Sequence, residues 1–256
     1  MKAMVLAAGL GTRLRPLTDD RPKALVTVAG RTLLEIVLER LRGFGVREAV
    51  VNAHHFADQI VEFLAANQNF GMRIEVSREE TLLDTGGGLK KAAWFLGSGE
   101  GDSGAGAGAP FIVHNVDVIS GIDLARMIVA HRASGALVTL AVAAREASRQ
   151  LLFDESGLLC GRRTGDKEER VRGWVEPPAS ESQALAFAGI HVVSPRIFGL
   201  MREEGAFSII DAYLRLAGEG EKVVAFRADG AYWRDLGRVE SLAAAERDIE
   251  SGMVEV

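Results

Sequence analysis

The sequence predicts an α/β protein, a three-layer α/β/α sandwich around a mixed, mostly parallel sheet. Three observations carry that expectation. The first half alternates short Val-, Ile- and Ala-rich segments with amphipathic segments about five times, the pattern of parallel strands joined by crossover helices. The first apolar segment runs straight into a glycine-rich loop over 9–13. The second half contains hairpin-type segments, which add antiparallel strands.

Residues 2–8 read as a buried strand. Residues 32–43 carry Leu33, Leu34, Ile36, Val37, Leu38 and Leu41 at helical spacing, and Gly43 and Gly45 end the run. A strand over 48–53, a helix over 57–66 and a short strand over 72–77 follow. Three glycines then precede a helix over 88–96. Residues 97–110 are Gly, Ala, Ser and acidic and read as a flexible surface loop, because the strand–helix rhythm resumes at once. It resumes with a strand over 110–115, a helix over 123–134 with Asp123 as candidate cap, and a strand over 136–143. Segments 151–154 and 158–161, joined by Glu155, Ser156 and Gly157, form a hairpin. The charged stretch 164–173 reads as a mobile loop. Strands over 185–193, 223–227 and 232–235 and helices over 209–217 and 239–249 complete the chain. No repeat of fixed period occurs, a hexapeptide repeat included, so the expectation is one domain over 1–256.

Composition narrows the function classes. The formal net charge of −5 argues against nucleic-acid binding, which relies on Lys and Arg. Cys160 is the only cysteine, so there is neither an intrachain disulfide nor a Cys-based zinc site. The N-terminal apolar run is short and soon meets Arg13 and Arg15, unlike a signal peptide. No apolar run approaches about 18 residues. The expected location is the cytoplasm, with no membrane partner. The histidines have no metal-ligand spacing; His54 and His55 are adjacent and point to opposite sides of an extended segment. Asn52 and His54 end a strand on the expected crevice side.

The most informative stretch is Leu6-Ala7-Ala8-Gly9-Leu10-Gly11-Thr12-Arg13, followed by Pro16-Leu17-Thr18 and Pro22-Lys23. Small residues after the first strand of a parallel sheet leave backbone N–H groups free to wrap a phosphate chain. Arg13 offers a planar fork for phosphate oxygens and Lys23 a compact positive charge. The loop is not a P-loop, and Leu14 stands where a dinucleotide fingerprint needs its third glycine. Without its neighbours, it reads equally as a glycine-rich turn with solvated Arg13 and Lys23. Further along stand Leu83-Asp84-Thr85-Gly86-Gly87-Gly88, whose glycines leave room for a planar base, Asp117 after an apolar strand, and Trp233-Arg234-Asp235-Leu236-Gly237.

The full N-terminal string resembles the signature of the sugar-1-phosphate nucleotidyltransferase superfamily, approximately L-A-A-G-x-G-T-R-x-x-P-L-T and then P-K. The resemblance implies a Rossmann-like nucleotide-diphospho-sugar transferase fold, with 1–145 as nucleotide-binding half and 146–256 as sugar-binding half. It implies that Leu6, Ala8, Gly9, Gly11 and Thr12 hold a nucleoside triphosphate, that Arg13 neutralises the leaving pyrophosphate, and that Lys23 contacts phosphate. Thr85, Gly86 and Gly87 match its base-recognition segment. Asp117 matches a magnesium ligand usually preceded by glycine, where this chain has Val116. Asp235 in W-x-D-x-G completes the implied Mg²⁺ site. Gly189 in Ala186-Phe187-Ala188-Gly189-Ile190-His191 and Glu176 in Trp174-Val175-Glu176-Pro177-Pro178 match sugar-side segments. Glu176 belongs to an E-K-P pattern whose lysine is here Pro177, so the cation for the sugar phosphate must come from elsewhere, with Arg172, Arg163 and Arg234 as candidates.

The implied substrates are an NTP and a sugar 1-phosphate, in a monomer or homodimer. The Asp84–Gly88 stretch and the absence of E-K-P are most similar to N-acetylmuramate 1-phosphate uridylyltransferases, with mannose-1-phosphate guanylyltransferase-like enzymes close behind. A non-catalytic nucleotide- or NDP-sugar-binding regulator on the same fold is the alternative, and Leu14 weakens a dinucleotide-dependent oxidoreductase.

Overall fold

A computed structural model describes residues 1–97, 108–171 and 182–254. In chain order the elements are β1 (Lys2–Leu6), β2 (Thr27–Val28), β3 (Arg31–Thr32), α1 (Leu33–Gly43), β4 (Glu48–Ala53), α2 (Ala57–Ala66), β5 (Arg73–Arg78), α3 (Asp84–Lys91) and α4 (Ala93–Leu96). Then come β6 (Phe111–Asn115), β7 (Val118–Ser120), α5 (Leu124–Ser134), β8 (Val138–Ala143), β9 (Arg149–Phe153), β10 (Leu159–Thr164) and β11 (Lys167–Arg170). The chain closes with β12 (Gln183–Val193), α6 (Ile209–Gly218), β13 (Val223–Arg227), β14 (Trp233–Asp235) and α7 (Val239–Glu250).

The central sheet is mixed. Its order is β11-β10-β9-β12-β6-β1-β4-β5, with β8 joining β12 to β13. The run β6-β1-β4-β5 is parallel, as is β13 on β8. The long strand β12 is antiparallel to β6, β8 and β9 and binds the two halves together. Side chains alternate across β1 as a pleated strand requires. Ala3 and Val5 face a core shared with Leu34 and Leu38 of α1, Met127 of α5 and Ala245 of α7. Met4 faces the other, with Leu89 of α3, Phe95 of α4 and Tyr213 of α6. Helices therefore cover both faces. Thr32 caps α1 by accepting the Glu35 N–H, and Asp123 caps α5 by accepting that of Arg126.

Two expectations need correction. The helix expected over 88–96 starts earlier, at Asp84, and is interrupted at Ala92, so that Gly86, Gly87 and Gly88 lie inside α3. The stretch 164–173, expected as a loop, forms through Arg170 the hairpin of β10 and β11. Its charges pair across the strands: Arg162 binds Glu169 at 2.7 Å and Arg163 binds Glu168 at 2.5 Å. Ion pairing of this kind stabilises an edge strand that has no apolar face. Of the loop expected over 97–110, residues 98–107 lie outside the described residues, as do 172 and 173. Among the described residues, no helix is long and apolar enough to cross a membrane.

Candidate active site

The site lies beyond the C-terminal ends of β1 and β6, where parallel strands leave a crevice. After β1 the chain turns at Gly11, whose φ of 66° is left-handed. A Cβ there would stand 2.9 Å from Thr18 Cγ2 and 3.1 Å from Lys23 Cβ. Only glycine lets the loop fold back on the 18–23 segment. Thr18 Oγ1 donates to the Gly11 carbonyl at 2.9 Å, and fully buried Leu14 anchors the turn. Thr12 and Arg13 remain exposed.

Lys23 is nearly buried and forms an ion pair with Asp117. Val116 does not disturb the approach to Asp117. Its N–H donates to the Leu6 carbonyl at 3.1 Å, prolonging the β1–β6 ladder, and its side chain is buried in the core. Strand β14 runs antiparallel to β7 with Asp235 opposite Val118. The Leu236 N–H donates to the Asp117 carbonyl oxygen at 2.7 Å. That ladder brings Asp117 and Asp235, far apart in sequence, to one end of a two-stranded ribbon. Asp235 Oδ1 accepts the Gly237 N–H at 2.7 Å. A Cβ on Gly237 would meet Asp235 Oδ1 at 2.7 Å and Arg13 Nη2 at 2.8 Å, so Arg13 from the first loop converges on the same point. Among the described residues no three His, Cys, Asp or Glu side chains gather into a metal cluster.

A crevice of about 350 Å³ opens beside these groups, lined by residues that include Ala8, Gly9, Lys23, Thr85, Asn115 and Asp117. On its far side the three glycines of α3 pack closely against their neighbours. A Cβ on Gly86 would be driven into the Phe207 ring, and one on Gly87 into the Gly205 carbonyl oxygen. One on Gly88 would lie 2.7 Å from Asn52 Nδ2 and 2.8 Å from Glu79 Oε1. The segment is also bolted to the chain before α6. Gly86 N–H donates to Phe207 O at 2.9 Å, Phe207 N–H donates to Leu83 O at 3.2 Å, and Thr85 Oγ1 accepts the Ile209 N–H at 3.0 Å. Of Thr85, Gly86 and Gly87, it is Thr85 that lines the crevice, and its hydroxyl also accepts the first N–H of α6, whose cap is Ser208.

Gly189, expected to face the sugar, has a φ of 74° where β12 shifts register against β8. A Cβ there would lie 2.9 Å from Asn115 Nδ2 and 3.1 Å from Val118 Cγ2. The neighbouring Ala188 carbonyl accepts the Trp233 Nε1–H at 2.8 Å. Glu176 lies outside the described residues, as do Arg172 and Pro177. The other two candidates for the missing cation are paired elsewhere: Arg163 with Glu168, and Arg234 with Asp248 at 2.6 Å.

Some site-side residues carried no functional motif. Arg145 lies just beyond β8, its Cζ 3.4 Å from the centroid of the Trp233 ring, and its Nη2 donates to Phe187 O at 2.6 Å. Burial pulls its pKa below the usual arginine value, and the field of Asp235 opposes that shift. Glu79 is buried and accepts from Asn52 Nδ2 at 2.7 Å and from Leu83 N–H at 3.0 Å, while its own carbonyl meets His54 Nδ1 at 2.8 Å. Behind the site, burial holds His114 down to about 4 and His191 to about 3. His191 Nδ1 meets the Tyr213 hydroxyl at 2.7 Å.

The family model for nucleotidyl transferase matches residues 2–252. Among curated proteins, the chain is 38% identical over 252 residues to N-acetylmuramate alpha-1-phosphate uridylyltransferase of Caulobacter vibrioides, covering 95% of each chain. It is 28% identical over 252 residues to mannose-1-phosphate guanylyltransferase of Mycobacterium tuberculosis, covering 98% of this chain and 65% of that one. Among solved structures, a UDP-glucose pyrophosphorylase complexed with UDP-glucose superposes with a TM-score of 0.75 at 17% identity, over 98% of both chains.

Proposed function

The chain belongs to the nucleotidyl transferase family, and we propose that it joins UTP to N-acetylmuramate 1-phosphate, giving UDP-N-acetylmuramate and pyrophosphate. The observation that carries the site assignment is the convergence of Arg13 and Asp235 with Lys23 and Asp117, the latter two lining one crevice. The choice of substrates rests on the 38% identity to the uridylyltransferase over nearly the whole of both chains. GTP with mannose 1-phosphate is the second reading, favoured by the guanylyltransferase relative.

In the reaction, a phosphate oxygen of the sugar 1-phosphate attacks the α-phosphorus of the triphosphate. The bond from that phosphorus to the oxygen bridging the β-phosphate breaks, and pyrophosphate leaves with the bond's electron pair. The nucleophile is already an anion at neutral pH, so no general base is required. The obstacle is bringing two polyanions together: at about 4 Å, like unit charges repel by about 4 kcal/mol at an effective dielectric near 20. Arg13 neutralises charge on the departing pyrophosphate, and Lys23 does so along the triphosphate. The loop from Leu6 through Ala8, Gly9, Gly11 and Thr12 supplies N–H donors to the phosphates, the Thr85 segment faces the base, and Gly189 and Glu176 belong to the sugar subsite.

Asp117 and Asp235 would hold Mg²⁺. The donor set fits that ion, since two carboxylates leave room for the phosphate oxygens and waters that magnesium keeps. Bound there, magnesium supplies Lewis-acid polarisation of phosphate oxygens. Lys23 pairs with the Asp117 carboxylate inside a nearly buried site.

The test is a matrix of the four NTPs against a panel of sugar 1-phosphates, scored by pyrophosphate release. UTP with N-acetylmuramate 1-phosphate is expected to give the highest kcat/KM. A clear preference for GTP with mannose 1-phosphate would replace this assignment with the second one, and thermal stabilisation by NTP without turnover on any pair would sink both.

A further inference from the structure

We propose that Arg145 is the cation that binds the phosphate of the sugar 1-phosphate, the role left open by Pro177. The inference rests on the reaction proposed above and deepens it.

Four observations single out this side chain. Its guanidinium carbon sits over the Trp233 ring, 3.4 Å from the centroid, which holds the fork against the indole. Its Nη2 is tied to the Phe187 carbonyl at 2.6 Å, which restrains its rotation there. Its Nη1 is buried and meets no hydrogen-bond partner among the described residues. Finally, it forms no ion pair there, in contrast to Arg162, Arg163, Arg215, Arg227 and Arg234 further along the chain.

A buried donor on a permanently charged group is costly to leave unmade. A cation that is stacked, oriented and unpaired is arranged for an anion that arrives later. Its place says which anion. Trp233 belongs to the strand that ends at Asp235, and its Nε1–H is held by Ala188, next to the left-handed Gly189. Arg145 thus stands with the residues of the sugar side. Arg13 comes from the glycine loop on the triphosphate side and meets Asp235 at Gly237. The two arginines serve the two phosphates that must meet: Arg13 the leaving group, Arg145 the nucleophile. A planar fork can grip two oxygens of a phosphate monoester and leave the third free to attack.

The experiment compares wild type, R145Q and R145K. Steady-state rates are taken with each substrate varied at saturation of the other. Binding of N-acetylmuramate 1-phosphate is also measured by calorimetry, with a non-hydrolysable UTP analogue present, which needs no turnover. R145Q is expected to raise KM for the sugar phosphate tenfold or more, with KM for UTP within twofold and the melting temperature nearly unchanged. R145K should fall between, since it keeps the charge and loses the fork. Calorimetry should show matching weakening of sugar-phosphate affinity. Unchanged affinity in R145Q overturns the proposal, as does a parallel rise in both KM values with a fall in melting temperature, the mark of a packing role for the Trp233 stack. If wild type binds N-acetylmuramate 1-phosphate but turns nothing over, the reaction is wrong while Arg145 is still judged by the binding difference. No binding by wild type overturns both.

Discussion

Asn52 and Glu79 share a buried hydrogen bond of 2.7 Å that ties the loop after β1 to the segment before α3. Asn52 uses both ends of its amide. Oδ1 accepts the Ala7 N–H at 2.7 Å, and Nδ2 donates to Glu79, whose other oxygen accepts the Leu83 N–H. Asn52→Leu leaves a backbone donor and one carboxylate oxygen without partners, each at a cost of about 1–3 kcal/mol. Thermal unfolding should fall by several degrees, and NTP affinity should fall with it because the loop loses its inner support. Unchanged melting and unchanged NTP affinity would show that this link positions nothing.

Asp117→Asn and Asp235→Asn keep size and remove charge. Each is expected to lower kcat by about 10² or more, as for lost transition-state electrostatics, and the double variant should be scarcely worse than either single one. The two differ in stability. Asp117→Asn leaves Lys23 nearly buried and unpaired and should unfold at clearly lower urea than Asp235→Asn, because breaking a buried pair from one side is strongly destabilising. Pyrophosphate release and urea denaturation of all three variants decide this. Multiplicative rate effects would rule out a shared metal.

Gly86 and Gly43 are both helical glycines with opposite surroundings. A methyl group on Gly86 enters the Phe207 ring, whereas one on Gly43 meets nothing within 4 Å. Gly43→Ala should raise stability by about 0.4–1 kcal/mol through the unfolded chain. Gly86→Ala should lower stability and weaken UTP binding, since it pries α3 from the 205–207 segment. Urea midpoints of the two variants give the comparison. Equal midpoints would mean that Gly86 is not needed for this contact.

Three buried histidines set an acid limit. His114 and His131 are held down to about 4, and His191 to about 3, in each case mainly by burial. Below the unfolded value of 6.5, the unfolded chain binds protons that the folded chain refuses. Unfolding free energy is therefore complete above pH 6.5 and declines as pH falls toward 4 and then 3, by up to about 1.4 kcal/mol per pH unit for each histidine. Urea unfolding at pH 7.5, 6.5, 5.5 and 5 tests the slope. A flat profile to pH 5 would mean that the histidines become charged within the fold.

Much of this organisation was legible in the chain because local and tertiary preferences agree. Glu48–Ala53, Ala57–Ala66 and Val223–Arg227 were readable to the residue, since apolar period and flanking breakers mark the same bounds. Local rules misplaced the start of α3. Glycine costs a helix roughly 1 kcal/mol each relative to alanine, yet here close packing against Phe207, Gly205 and Asn52 needs their missing side chains. Strand β11 escaped because its stabilising contacts are charge pairs across a hairpin, which leave no hydrophobic period. Asp117 and Asp235 carried a motif that could be matched. Arg145 carried none, because its place depends on a ring 88 positions further along the chain, seen only once the sheet is folded.

The brace between α3 and the start of α6 bears on redesign. In this chain the 83–88 stretch is half of a two-part joint: Thr85 accepts the Ile209 N–H, Gly86 seats Phe207, and Leu83 receives the Phe207 N–H. A donor's 83–88 fitted to this chain's 205–209 would bring mismatched volumes and orphaned hydrogen bonds together. The unit of exchange is both stretches at once, and a chimera carrying one alone should misfold before its choice of base can be read.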